Sequence, residues 1–427
     1  MGAGKPRKVV LSWALYDWGN SAFATTVMAG FFPIFFKEYW SAGSEPQVST
    51  FQLGVGNSLA GILVALVAPW LGALADRSRR KKRFLGLLAA LGVLATAGLY
   101  LIQKGDYVTA IACYVAATIG FSGSIVFYDA LLIGVADEGQ NDRVSAMGYA
   151  LGYLGGGVLF ALNVAMTLQP AWFGLADAGQ AVRVSFLLVA LWWAVFTIPL
   201  MRNVPEPAGR ATGGGSGGEG MSGALRELLQ TLREVRRYRS VWLFLAGYWL
   251  YIDGVDTIIR MAVDYGLSLG FASSTLITAL LITQFVGFPA AILYGRLGEW
   301  IGTKNGILVG ILIYVGVTVW GYLMDNETEF YVLAVVVGLV QGGVQALSRS
   351  FYSRLIPTDK AAEFFGFYNM LGKFAVVIGP ALMGGVSLLT GSVRGSILSV
   401  AVLLLAGGLI LWRVPDPGVG AEASTGR

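Results

Sequence analysis

Apolar residues along this chain gather into long stretches separated by short polar segments, and none of them alternates with the two-residue rhythm of a strand. The stretches fall at about 10–36, 51–75, 84–103, 107–135, 144–167, 182–201, 241–263, 273–295, 305–324, 330–356, 364–389 and 394–413. About 20 residues rising roughly 1.5 Å each cross a hydrocarbon layer ~30 Å thick. The pattern predicts twelve transmembrane helices in an all-α integral membrane protein. Glycine is frequent inside the stretches, as where helices pack closely in lipid.

Between the sixth and seventh stretches lies PEPAGRATGGGSGGEGMSG, residues 205–223, whose composition predicts a flexible linker. Leu225, Leu228, Leu229, Leu232 and Val235 then recur at helical spacing, with Arg226, Arg233, Arg236 and Arg237 between them. That predicts an amphipathic helix on the membrane surface. The expected organisation is one six-helix bundle over 1–204, the linker and surface helix over 205–239, a second bundle over 240–414 and a disordered tail over 415–427.

Composition narrows the chemistry. The chain is 56% hydrophobic and 13% charged, against about 25% charged in ordinary soluble domains. It has no histidine, which excludes histidine metal ligation, His–Asp catalysis and histidine proton relays. Its one cysteine, Cys113, excludes an internal disulfide and a thiolate cluster. No enzyme, metal or cofactor is expected. With the N-terminus placed in the cytoplasm, 24 of the 30 lysines and arginines fall on the inner side, so both termini are expected to be cytoplasmic. Asp17 and Asn20 interrupt what would otherwise resemble a signal peptide, which points to an uncleaved first helix in a plasma membrane.

The two halves echo one another. Shifted by 223 residues, Gly72, Leu74, Asp76 and Lys81 after the second stretch fall on Gly295, Leu297, Glu299 and Lys304 after the eighth. Asp17-Trp18-Gly19-Asn20-Ser21 in the first stretch is matched by Asp253-Gly254-Val255-Asp256-Thr257 in the seventh, and Phe127-Tyr128 in the fourth by Phe351-Tyr352 in the tenth. A duplicated six-helix unit is the reading.

The loop GALADRSRRKK, residues 72–82, resembles the signature between helices 2 and 3 of the major facilitator superfamily, except that Arg79 stands where glycine is usual. Within that superfamily, three segments resemble the vacuole-effluxer (autophagy-related permease) branch, also called unknown major facilitator one. They are SWALYDWGNSAF (Ser12–Phe23), GLVQGGVQALSRSFYSRLIP (Gly338–Pro357) and AEFFGFYNMLGKF (Ala362–Phe374). The resemblance implies two pseudo-symmetric six-helix bundles, a central cavity lined by helices 1, 4, 7 and 10, and solute permease activity. Fungal members of the branch are thought to release amino acids from the vacuole.

A charge inside a span costs several kcal/mol, so each one is a functional candidate. Asp17, Asp129, Asp253 with Asp256, and Arg349 fall in stretches one, four, seven and ten. Arg260 follows Asp256 by one turn, Lys373 lies in the eleventh stretch, and Asn20, Gln341 and Gln345 add polar positions. These ten residues are the expected substrate-binding or coupling set. Carboxylates suit an ammonium, and Arg349 or Lys373 suits a carboxylate. Each charge also has a structural reading: Asp253, Asp256 and Arg260 as an intrahelical ion pair, and Asp129 as a gate paired with Arg349 or Arg354. Gly72, Asp76, Arg77, Arg80 and Lys81, with Gly295, Glu299, Gly302 and Lys304, are the expected conformational latches. Gly148, Gly152, Gly155, Gly156 and Gly157 in the fifth stretch are expected to give close contact between the halves.

The sequence thus leads to a monomeric secondary transporter in the lipid bilayer, with an amino acid or related zwitterion as the substrate. Coupling to protons would have to run through carboxylates. The rival is a membrane-embedded solute receptor without transport. No nucleic-acid partner is expected, and Gly366–Lys373 is one residue too long for a phosphate loop.

Overall fold

A computed structural model describes residues 6–43, 59–64, 80–137, 139–206, 237–374, 378–379, 382–383, 386, 389 and 392–416. Helix α1 spans Arg7–Ala22 and continues to Trp40 through two wider π-helical segments, Phe23–Phe31 and Phe36–Trp40. Residues 59–64 form α2. Then come α3 (Lys81–Gly98), α4 (Tyr107–Val135), α5 (Asn141–Leu168) and α6 (Ala178–Asn203). The second half holds α7 (Arg239–Ser268), α8 (Ser273–Ile301), α9 (Thr303–Leu323), α10 (Glu327–Leu355), α11 (Ala361–Phe374) and α12 (Val393–Trp412). Eight of the described helices (α3, α4, α5, α6, α8, α9, α10 and α12) are long and apolar enough to cross a membrane. The predicted linker and surface helix fall largely at 207–236, and the tail beyond 416 likewise lies outside the described residues.

The duplication is visible in how helices start and stop. Asp106 caps α4 by accepting from Thr109 N, and Asn326 caps α10 by accepting from Glu329 N. Asp177 caps α6 through Gln180 N, and Ser392 caps α12 through Gly395 N. Each cap supplies an acceptor for an N–H that the first helical turn leaves unpaired. At the opposite end, Lys82 Nζ donates to Val204 O at the end of α6, and Lys304 Nζ donates to Val414 O at 3.0 Å at the end of α12. The lysine equivalent to Lys304 is thus Lys82, not Lys81 as the 223-residue shift implied. Its signal is a second repeat, Val204-Pro205-Glu206-Pro207 against Val414-Pro415-Asp416-Pro417.

The α5 glycines mostly face α1 of their own half, which corrects the expected contact between halves. A Cβ on Gly152 would lie 2.6 Å from Ser21 Oγ, and one on Gly156 would lie 2.8 Å from Thr25 Oγ1. One on Gly155 would press on the Trp18 backbone. Gly157 looks to the other half, 3.2 Å from Gln284 Cβ on α8, and Gly148 meets both halves, beside Tyr128 and Trp13 of its own and Arg349 of the other. Helical periodicity explains the split: residues at 148, 152, 155 and 156 share one face, and 157 is rotated from it. The halves instead meet where Gly295 of α8 approaches Ala146 and Asp142 of α5, and Gly287 approaches the Tyr153 ring. Gly295 and Asp142 lie near the end where Arg80, Lys304 and Arg354 gather, here termed the basic end.

Candidate functional site: a charged cavity floor between the halves

Between the two sets of helices lies a cavity of about 320 Å³, in the range of small-molecule sites. Asp17, Asn20, Ser21 and Thr25 of α1, Tyr128 and Asp129 of α4, and Tyr149 and Tyr153 of α5 line one side. Tyr248 and Asp256 of α7, Gln341, Gln345 and Arg349 of α10, and Tyr368 and Asn369 of α11 line the other. Helices 1, 4, 7 and 10 all contribute, as the resemblance implied. Thr25 belongs to the first π-helical segment, a distortion often found at functional sites.

Arg349 forms the floor of this cavity and is 2% exposed. Its Nη1 donates to Asp129 Oδ1 at 3.1 Å and lies 3.7 Å from Asp17 Oδ2. Its Nε donates to Ser145 Oγ and its Nη2 to Ser145 O, both at 2.8 Å. Three rings surround the guanidinium, with centroids 4.4 Å (Tyr149), 5.1 Å (Trp13) and 5.4 Å (Tyr128) from Cζ. Trp13 stacks on Tyr128 at 4.3 Å and donates from Nε1 to Tyr128 O. Tyr128 in turn donates its hydroxyl to Asp17 Oδ2 at 3.1 Å. Asp129 accepts a second bond from Asn369 Nδ2 at 3.1 Å. Arg349 and Asn369 belong to one half and Asp129, Ser145 and Asp17 to the other, so this network ties the halves together through a nearly dry ion pair. A buried pair of this kind is net favourable only when its remaining donors and acceptors are also satisfied, which Ser145, Tyr128 and Asn369 accomplish. Gly148 makes the close approach possible: a Cβ there would lie 2.7 Å from Tyr128 Oη and 3.0 Å from Arg349 Nη2.

The structure sorts the expected residues. Asp17, Asn20, Asp129, Asp256, Gln341, Gln345 and Arg349 share the cavity lining. Asp253 does not. It is fully buried and turned to the backbone beyond α11, where both carboxylate oxygens accept the Gly379 N–H at 3.0 and 3.1 Å, while Thr257 Oγ1 donates to one of them. Asp253 and Asp256 are three residues apart on α7, so a small difference in azimuth sends one to the cavity and the other to that backbone. The side chains of Arg260 and Lys373 lie outside the described residues, as do Gly72, Asp76 and Arg77. Asp253→Ala is expected to leave the Gly379 N–H without its acceptor and to lower stability by about 1–3 kcal/mol. Ligand affinity should be unchanged, as read by melting curves with and without ligand.

At the basic end, the described part of the expected latch set is spread between surface and interior. Glu299 is exposed, as is Arg80, while Lys81 is buried. Among the described residues, an acid that joins the halves at this end is Asp142, 2% exposed at the start of α5. It pairs with Arg354 Nη2 at 2.5 Å and accepts from Thr303 Oγ1 at 2.7 Å. Gly302, with φ of +90°, turns the chain between α8 and α9 and so delivers Thr303 to Asp142. Gly295, by its closeness to α5, and Lys304, by holding the end of α12, support the same junction. Ser145, Tyr149, Asn369 and Asp142 were not singled out from the sequence. Asn369 had a signal in its place within AEFFGFYNMLGKF, and the others had none.

Comparison with known proteins agrees with this architecture. The family described as "Vacuole effluxer Atg22 like" matches residues 5–138 and 134–418. An uncharacterized MFS-type transporter of Bacillus subtilis (strain 168), YxiO, is 39% identical over 95% of this chain and 94% of its own length. Autophagy-related protein 22 of Yarrowia lipolytica is 29% identical over 62% of this chain, a match that spans 48% of the fungal protein. Among solved structures, the human organic anion transporter MFSD10 superposes with a TM-score of 0.75 at 16% identity, covering 95% of this chain and 99% of its own. FucP in its outward conformation gives 0.70 at 12% identity over 96% and 100%. At such identities these structures establish the fold, which is that of the twelve-helix major facilitators. The chain belongs to the vacuole effluxer Atg22-like family and is an integral membrane transporter of the major facilitator type.

Proposed function

We propose that the protein is a secondary transporter that moves an amino acid or related zwitterion by alternating access. The observation that carries this reading is the Arg349–Asp129 pair: it joins the two halves directly beneath a solute-sized polar cavity. A site at the interface of rocking halves, sealed on one side at a time, is what alternating access requires. With the basic end on the cytoplasmic side of a plasma membrane, the cavity opens outward and both termini are cytoplasmic. The ammonium group then sits near Asp17 and Asp256, and the substrate carboxylate takes Asp129's place on Arg349 as the floor opens. The chain acts as a monomer. Protons, where coupled, travel on Asp17 or Asp129, because the chain has no histidine.

The test is uptake of a panel of labelled amino acids into proteoliposomes, with and without an imposed pH gradient. Saturable uptake that rises at least threefold with the gradient and loses that rise in Asp17→Asn is the expected result. Uptake indifferent to the gradient would remove proton coupling. Binding without uptake would make the protein a receptor.

A further inference from the structure

Resting on the reading of this cavity as the substrate site, we infer that this conformation recognises the ammonium end of its ligand. An amine with a small branched apolar group should then bind as well as the matching amino acid. The first argument is the state of Arg349. Its Nε, Nη1 and Nη2 all donate within the protein, to Ser145 and Asp129, and aromatic rings surround its guanidinium. A ligand carboxylate therefore finds this guanidinium already engaged. Among the described residues, Asp17 and Asp129 stand beside it in the lining, two carboxylates against that one guanidinium. The balance of charge favours a cation.

The second argument is what the lining offers a cation. Among the described residues, Asp17 spends Oδ2 on Tyr128 and Arg349, which leaves Oδ1 for a ligand. Tyr153, Tyr248 and Tyr368 present further aromatic surface, and organic cations bind such faces. Gln341 supplies an acceptor, since its Oε1 is buried without a hydrogen-bond partner among the described residues. A buried unpaired acceptor costs about 1–3 kcal/mol, so a ligand N–H that reaches it is rewarded.

The third argument gives the rest of the ligand. Gln341 also lines a second, apolar cavity of about 90 Å³ within α7–α12, walled by Ile258, Ala279, Leu333 and Val337. That is smaller than the roughly 150 Å³ cavity that accepts benzene, and it suits a short branched hydrocarbon. Gln341 thus stands between a polar chamber for the nitrogen and an apolar recess for the side group.

The experiment measures thermal stability of the purified protein in detergent at constant ionic strength. It compares leucine, 3-methylbutylamine, 4-methylpentanoate and methylamine, which share or lack the ammonium, the carboxylate and the branched group. Leucine and 3-methylbutylamine are expected to raise the melting temperature by about 2 °C or more, with half-effective concentrations within about threefold of each other. 4-Methylpentanoate should give no rise, and methylamine should need at least tenfold more than 3-methylbutylamine. In Gln341→Leu, whose ligand-free melting temperature should be equal or higher because the unpaired acceptor is gone, 3-methylbutylamine should need at least fivefold more. A rise with leucine but not with 3-methylbutylamine would overturn the inference and leave the proposed transport of amino acids standing. A rise with 4-methylpentanoate alone would overturn the inference as well. No rise with any of the four would overturn the inference, and no rise across the wider amino-acid panel would remove the proposed substrate site as well.

Discussion

Arg349→Ala is expected to abolish solute uptake in proteoliposomes and to destabilise the protein by about 3–5 kcal/mol, the cost of stranding buried charge. The substitution leaves Asp129 at 3% exposure and Asp17 at 9% without their shared cation, and it leaves Ser145 without its two donors. Arg349→Lys is expected to lower uptake at least tenfold while recovering part of the stability. An ammonium keeps the charge, but it cannot reproduce a planar fork that reaches Asp129 Oδ1, Ser145 Oγ and Ser145 O together. It also lies less well among the Trp13, Tyr128 and Tyr149 rings. The double variant Asp129→Asn with Arg349→Met separates the two effects. Removing both partners of the closer pair is often close to neutral for stability, but Asp17 still loses its cation, so the melting temperature should recover part of what Arg349→Ala loses, while uptake stays absent. If Arg349→Ala melts and transports like the parent protein, the floor neither holds the halves nor serves transport.

That floor shows what could be read from sequence and what could not. Asp17, Asp129 and Arg349 stand out because each is a charge in an apolar stretch, and burial forces such charges to find partners. The same logic misplaced Asp253. A carboxylate is equally well satisfied by a backbone N–H, and nothing in the pattern around Gly379 announces that its N–H turns towards α7. Ser145 and Tyr149 were invisible for a different reason. Serine and tyrosine are ordinary inside packed helices, and only the three-dimensional neighbourhood reveals that they clasp and cover Arg349. Helix number, order and the six-plus-six repeat were legible throughout, because the hydrophobic periodicity is long and strong. Partners across the halves were not. The shift of 223 residues aligned Asp76 with Glu299 inside the two loops, but the residue that grips the α8–α9 junction is Asp142, which comes from the opposite half. An internal repeat compares positions related by symmetry; it says nothing of positions that touch across the symmetry axis.

Asp142→Ala should therefore shift the conformational balance towards opening at the basic end. It removes the ion pair to Arg354 and the hydrogen bond from Thr303, and both are made only while the halves are together there. Losing a hydrogen-bonded buried charge costs about 1–3 kcal/mol or more, and every 1.4 kcal/mol is roughly tenfold in an equilibrium. A conformer populated at about 1% would thus rise to about 10% or beyond. The measurement is a spin-label distance between Gln140→Cys, at the start of α5, and Trp300→Cys, near the end of α8, in a Cys113→Ser background. Trp300 is 85% exposed, Gln140 is exposed and Cys113 is the sole native cysteine, so labelling is site-specific. A longer second distance should appear in Asp142→Ala. Thr303→Val, which loses one hydrogen bond and keeps the Arg354 pair, should show a smaller fraction of it. Asp142→Asn keeps an acceptor for Thr303 and loses the charge, so it should fall between the two. Identical distance distributions in all four proteins would mean that Asp142 packs α5 without latching the halves. The closed basic end would then rest on other contacts across the halves, the Arg349 floor and the Gly295–Ala146 approach among them.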